Sequence, residues 1–278
     1  MLAAALSIAG LDPSGGAGLA ADLRSFAVAG VWGTAVCAAL TVQSTLGVRS
    51  VEPVAAELVV AQAEEVLADS RVLAFKTGAL GSAENLRAVT DLLLRYPKVP
   101  AVVDPVMLPS RQVGEGRAAL HRGGVEELWG LARAAALVTP NLRETAVLLG
   151  AEVAGAEARE AAVALVERGA RAALVKGGHA GGAESIDWLA TPGRVVKIAR
   201  PRRQGPEVHG TGCTLASLVA GRLAARKARG RPDELLEAAR WARSRLDRAL
   251  ASPLVTGRGQ RVLAVGVRWP PAGPRRRA

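Results

Sequence analysis

Short apolar runs alternate with longer stretches in which apolar residues recur at helical spacing. The runs at residues 2–9, 31–40, 72–76, 101–103, 135–139 and 172–176 are built from Ala, Val, Ile and Leu and read as buried strands. Between them, residues 17–29, 53–69, 84–96, 116–133, 142–149 and 157–168 carry the period of helices. Local chemistry fixes several ends. Pro97 stops the helix before it and Pro140 stops a strand, while Gly150 and Gly169 follow helices where a left-handed cap is wanted. Residues 185–190 and 194–199 flank Pro192-Gly193 and predict a hairpin. Helices over 211–229 and 233–251 close the pattern.

Strand alternating with helix predicts an α/β fold with a mostly parallel central sheet and helices on both faces. No repeat or long linker interrupts it, so residues 1–268 are expected to form one domain, followed by a basic, proline-rich tail over 269–278. Ligands of such sheets bind where the strands end. The loops there are 10–18, 43–44, 76–81, 104–116, 139–144, 176–182 and 206–213, and nearly all the glycine clusters and unusual polar residues lie in them.

Composition narrows the picture. Two Cys in 278 residues exclude a disulfide scaffold, and the three His are too scattered for a zinc site. No apolar run reaches bilayer length and the N-terminus runs straight into Asp12-Pro13-Ser14-Gly15-Gly16, so a cytoplasmic protein with reduced thiols is expected. The net charge of +11 is uneven: residues 1–100 carry 7 positive and 9 negative charges, residues 101–200 carry 12 and 11, and residues 201–278 carry 17 and 5. A basic third suits nucleic acid, a membrane surface or a polyphosphate ligand. Aromatics make up only 3% and form no stacking platform, which argues against nucleic acid. The arginines at 222, 226, 229, 240, 243, 245 and 248 read as solvated helix faces.

The sharpest segment for chemistry is His209-Gly210-Thr211-Gly212-Cys213-Thr214, which opens a helix of small residues. Two glycines let backbone approach a ligand, and unpaired N–H groups at the helix start suit the charge on a transferring phosphoryl group. Cys213 stands there, and a helix N-terminus lowers a thiol pKa, so it is a candidate base or nucleophile. A plain turn with a small buried Cys is the competing reading. Asp104 and Glu144, both just past strand ends, could hold Mg²⁺, or serve only as a turn aspartate and a helix-start glutamate. Lys176 could reach a phosphate or be a solvated loop lysine. Gly16-Ala17-Gly18-Leu19-Ala20-Ala21 matches a dinucleotide fingerprint in form only, since it starts too far past its strand and lacks the acidic partner; no Walker-type loop occurs.

Taken in order, several segments resemble the hydroxymethylpyrimidine/phosphomethylpyrimidine kinases of thiamin biosynthesis, within the ribokinase-like superfamily. They are residues 5–18, Ala21-Asp22-Leu23, residues 39–48, Lys76-Thr77-Gly78-Ala79-Leu80-Gly81 and Val103-Asp104-Pro105-Val106-Met107. Thr139-Pro140-Asn141-Leu142-Arg143-Glu144, Val175-Lys176-Gly177-Gly178-His179 and residues 209–214 complete the set. The resemblance implies an ATP- and Mg²⁺-dependent kinase that phosphorylates a hydroxymethylpyrimidine and then its monophosphate. Cys213 would be the base, and Gly210, Thr211 and Gly212 the anion hole with it. Gly10, Ala17, Asp22, Gln43, Ala79 and Val106 would surround the pyrimidine. Asn141, Lys176, Gly178 and Thr211 would face ATP, and Asp104 and Glu144 would organise the metal. A homodimer is implied as well. Ala79 stands where the family usually has Met, and residues 108–114 depart from its usual active-site cover. A pyridoxal kinase of the same fold, or a non-catalytic protein binding a pyrimidine or nucleic acid, are the alternatives.

Overall fold

The structure is a computed structural model that describes residues 1–107, 111, 113, 124–177, 182–205 and 207–266. Its centre is a nine-stranded sheet in the order β3-β2-β1-β4-β5-β6-β7-β8-β9. The strands are β1 (Ala4–Leu11), β2 (Trp32–Ser44), β3 (Gly47–Pro53), β4 (Val72–Thr77), β5 (Ala101–Val103), β6 (Leu137–Val138), β7 (Ala173–Lys176), β8 (Glu184–Thr191) and β9 (Arg194–Pro201). From β2 through β7 neighbouring strands run parallel. β3 is antiparallel to β2 at one edge, and the β8–β9 hairpin is antiparallel at the other. Chain order reverses beside β1, between β2 on one side and β4 on the other, which opens a crevice at their carboxyl ends.

Helices cover both faces. α2 (Ala56–Asp69), α3 (Ala83–Arg95), α4 (Val125–Ala134), α5 (Leu142–Leu149) and α6 (Ala158–Glu167) pack on one side, with Leu86, Leu92, Leu131 and Leu165 buried against Ile8, Phe75 and Val103. α1 (Gly18–Ala29), α7 (Thr211–Ala228) and α8 (Leu235–Leu250) pack on the other, around Phe26, Leu218, Leu223 and Ala238. Each fully buried Leu or Phe contributes about 1.5–3 kcal/mol. α7 is apolar on nearly every face, as a helix buried between neighbours must be. Its small residues allow close approach: a Cβ on Gly221 would lie 2.8 Å from Ala29 Cβ.

After α8 the chain returns to the site. β11 (Arg261–Val262) pairs in parallel with β10 (Val208–His209), while Gly259 N–H donates to Thr45 Oγ1 at 3.1 Å and Gln260 N–H to the Thr45 carbonyl at 2.7 Å. This strap ties the segment after α8 to the β2–β3 turn.

Several expectations are corrected. β2 runs on to Ser44, and residues 47–53 form β3, so α2 begins at Ala56 rather than at 53. The helix expected over 116–133 is seen as α4 from Val125; residues 114–123, like the tail 269–278, lie outside the described residues. Two of the arginines read as solvated are buried. Arg243 pairs with Asp187 at 2.9 Å, Ser185 at 2.8 Å and Asp247 at 3.2 Å. Arg226 pairs with Glu234 and Glu237, and Arg222 binds Glu237 while lying over the Trp241 ring. Three arginines of the basic third, Arg222, Arg226 and Arg243, thus clamp α7 to α8 and α8 to the sheet.

Candidate active site

A cavity of about 590 Å³ opens at the carboxyl ends of the strands. Its floor is the start of α7. Gly210, the residue before that helix, has φ +80°, and a Cβ there would sit 2.0 Å from the Gly16 carbonyl oxygen. Only glycine fits such a left-handed position pressed on backbone. The N-terminal N–H groups of α7 have no partner within the helix and carry its positive dipole end. Thr211, Gly212 and Cys213 line the cavity with them.

Cys213 departs from the expectation of a lowered thiol pKa. Burial pushes it up, to about 12. The Lys76 ammonium and the Gly18 N–H pull it down, but Asp104 and Asp22 add to the upward push. Withdrawal from water outweighs the helix start, so in the ligand-free protein Cys213 is a thiol.

Lys76 and Asp22 lie below this floor as a wholly buried ion pair, with Nζ 2.9 and 2.8 Å from the two carboxylate oxygens. Ser7 and Ser217 donate to the same carboxylate, each at 2.6 Å. Burial favours the neutral lysine, but Asp22, with Cys213 and Asp104 adding to it, outweighs burial and raises the Lys76 pKa. Lys76 reaches the cavity wall; Asp22 does not. Asp22, expected beside the pyrimidine, has its carboxylate oxygens engaged by Lys76, Ser7 and Ser217.

At the next strand ends, Lys176 Nζ lies 2.7 Å from Asp104 Oδ1 and 3.9 Å from Glu144 Oε2. Asn141 and Glu144 form a capping box that opens α5, with Asn141 N–H donating to Glu144 Oε2 at 2.7 Å and Glu144 N–H to Asn141 Oδ1 at 2.9 Å. Burial raises the Glu144 pKa to about 7; Lys176 opposes this and Asp104 reinforces it. The Lys176 pKa is raised because Asp104 and Glu144 outweigh burial. No group of three or more metal-binding side chains occurs among the described residues. Two carboxylates nonetheless suit Mg²⁺, which takes one or two from protein and fills the rest with water and phosphate oxygens.

Gly10, Ala17, Gln43, Ala79, Val106, Asn141, Lys176 and Thr211 all line this cavity. Gly178 lies outside the described residues. Two residues not assigned in advance, Asp12 and His209, line it too. Asp12 accepts from Ser14 N–H at 2.8 Å, Ser14 Oγ at 2.7 Å and Ala17 N–H at 2.9 Å, and its Oδ2 lies 2.9 Å from His209 Nε2. Burial alone would raise its pKa, but His209 and Ser14 hold it below the usual carboxylate value. Both residues sat in segments already singled out, yet their contact spans the whole chain.

A family model described as phosphomethylpyrimidine kinase matches residues 12–264. The chain belongs to this phosphomethylpyrimidine kinase family. A hydroxymethylpyrimidine/phosphomethylpyrimidine kinase from Rhizobium meliloti is 41% identical over 273 residues, covering 97% of this chain and 99% of that one. A phosphomethylpyrimidine kinase structure from Clostridium difficile superposes with a TM-score of 0.73 at 29% identity, covering 89% of this chain and 99% of that one. A pyridoxal kinase from Staphylococcus aureus, solved with AMP-PCP and pyridoxal, gives a TM-score of 0.82 at 26% identity, covering 96% and 94%. The ribokinase-like α/β fold of these kinases is therefore that of this family member too.

Proposed function

We propose that this chain transfers the γ-phosphoryl group of ATP to the hydroxymethyl group of 4-amino-5-hydroxymethyl-2-methylpyrimidine, and then to the resulting monophosphate. The observation that carries this reading is the shared cavity, which Gly10, Gln43, Ala79 and Val106 line together with Cys213 and the glycine-rich start of α7. Named relatives acting on these pyrimidines support the substrate, and the AMP-PCP complex of the structural neighbour supports ATP. The pyridoxal kinase likeness keeps pyridoxal as a control substrate.

Phosphoryl transfer asks the protein mainly for positioning and charge neutralisation. The α7 N–H groups receive the transferring oxygens, and Lys176 stands beside them as a fixed cation. Asp104 and Glu144 would hold Mg²⁺, which when bound neutralises phosphate charge. Cys213 takes the hydroxymethyl proton in its thiolate form, with Lys76 as the favourable charge beneath it. The proposal includes a cytoplasmic homodimer. No described helix is long and apolar enough to cross a membrane. Leu11 and Leu40 are paired neighbours on β1 and β2, and with Val42 they expose an apolar face suited to a second copy.

The test is ATP turnover with the pyrimidine, its monophosphate and pyridoxal, for the wild type and Cys213→Ala, with sedimentation for the dimer. Cys213→Ala is expected to lose at least about a hundredfold in kcat, the scale of a lost general base. Full activity in that variant would remove the assigned base, and turnover of pyridoxal alone would replace the substrate.

A further inference from the structure

His209 is the residue before the anion hole, and its ring does not face the phosphate end. Nε2 lies 2.9 Å from Asp12 Oδ2 and 3.0 Å from the side-chain amide of Gln43. Nδ1 is buried and has no hydrogen-bond partner among the described residues. The ring packs where Gly16 leaves room, since a Cβ on Gly16 would fall 2.5 Å from His209 Cδ2. Gln43 also contacts Thr41 Oγ1 at 3.2 Å, and that hydroxyl donates to the Leu11 carbonyl at 2.8 Å.

Three protonation states are open to an imidazole, and the surroundings separate them. A proton on Nδ1 alone would bury a donor with nothing to receive it and would turn the Nε2 lone pair on a carboxylate. A doubly protonated ring satisfies Asp12 but still buries the Nδ1 donor. A proton on Nε2 alone feeds Asp12 and leaves only an acceptor at Nδ1, the cheapest group to leave unpaired. That state also decides Gln43. A donor on Nε2 cannot face an amide NH₂, so the amide must turn its oxygen to His209. Its nitrogen then donates to Thr41, whose own proton is already committed to Leu11.

We propose that His209 is a positioning residue that carries its proton on Nε2 and thereby fixes Gln43 with one amide N–H left for the ligand. Thr41 and Asp12 complete the chain of bonds. A Gln43 held this way recognises an acceptor, so the ring it selects presents an unprotonated nitrogen at that edge. This rests on the proposed pyrimidine site. It also links Gln43 to the start of α7, because the backbone of His209 leads directly into Gly210.

Two measurements test it. Long-range ¹⁵N–¹H spectra of the ligand-free protein distinguish the two nitrogens of each of the three His, and His209→Gln assigns the signal by its loss. The Nε2–H pattern is expected; an Nδ1–H or doubly protonated pattern at neutral pH overturns the proposal. Kinetics test the consequence for Gln43. A Gln side chain can place an amide nitrogen where Nε2 stands, and Asn places one nearer Nδ1. His209→Gln is therefore expected to keep the KM for the hydroxymethylpyrimidine within about threefold, and His209→Asn to raise it about tenfold, the scale of one lost hydrogen bond. The KM for ATP should change little in either. Equal pyrimidine KM values in the two variants, or a loss confined to ATP, would overturn the role in orienting Gln43. If the wild type phosphorylates no pyrimidine, the proposed function fails, while the tautomer is still decided by the spectra.

Discussion

Lys76→Met is the sharpest probe of what lies under the anion hole. The substitution keeps all but the last atom of the side chain's length and removes its charge. It leaves Asp22 buried, still bonded to Ser7 and Ser217 but without its counter-ion. Removing one partner of a fully buried pair costs about 3–5 kcal/mol, because the remaining charge is uncompensated. At about 2–4 °C per kcal/mol for a chain of this size, Tm should fall by on the order of 10 °C. The double variant Lys76→Met/Asp22→Asn removes both charges and keeps a group for the two serines. It should be less destabilised than the sum of the single variants by about 2 kcal/mol. Urea unfolding followed by tryptophan fluorescence and by circular dichroism measures each value and checks that the transition is two-state. A Lys76→Met variant within about 1 kcal/mol of wild type, or strict additivity, would refute the buried pair. Asp22→Asn adds a functional arm. Since Asp22 does not reach the cavity, it should lower stability or kcat; a selective rise in the pyrimidine KM would show that it touches the ring.

Other expectations follow from the same geometry. Gly210→Ala forces a Cβ into the Gly16 carbonyl and should cost about a hundredfold or more in kcat, as when an oxyanion donor is lost, in a steady-state assay. The pH dependence of kcat/KM should show no plateau near neutrality: with the Cys213 thiol pushed up to about 12, the thiolate fraction grows tenfold per pH unit, so the rate climbs to the highest pH the fold tolerates. A plateau by pH 8 would contradict this. Glu144, raised to about 7, holds a proton at pH 6 that a bound Mg²⁺–nucleotide would expel. Calorimetry in buffers of different ionisation enthalpy should detect proton release at pH 6, little at pH 8.5, and none at either pH in Glu144→Gln.

The β1–α1 loop, the strand ends at Asp104 and Lys176, and the glycines before Cys213 were legible because each is local: a breaker, a period or a cap within a few residues. β3 was not. Its sequence, Gly-Val-Arg-Ser-Val-Glu-Pro, alternates poorly and ends in proline, so only its pairing with β2 makes it a strand. β10 and β11 are two residues each, too short to carry a pattern. The pair Lys76–Asp22 and the contact His209–Asp12 join residues 54 and 197 positions apart, and no spacing rule encodes them. The Cys213 thiol went the other way: the local cue was a helix start, but tertiary burial decided the outcome. Arg243 was misread for the same reason, since its amphipathic helix gives no hint that Asp187 waits on the neighbouring sheet.

The return of the chain after α8 sets an order of events during synthesis. All nine strands of the main sheet, and every helix among the described residues, precede residue 251. The strand that carries His209 has no partner until Val262 has been made, and the β2–β3 turn is not tied down until Gly259 and Gln260 reach Thr45. A growing chain can therefore acquire its sheet while the floor of its cavity still lacks a frame. Competence is expected with residues 259–262 rather than with the core, and protease sensitivity of translation-arrested chains ending before and after residue 262 would locate that moment.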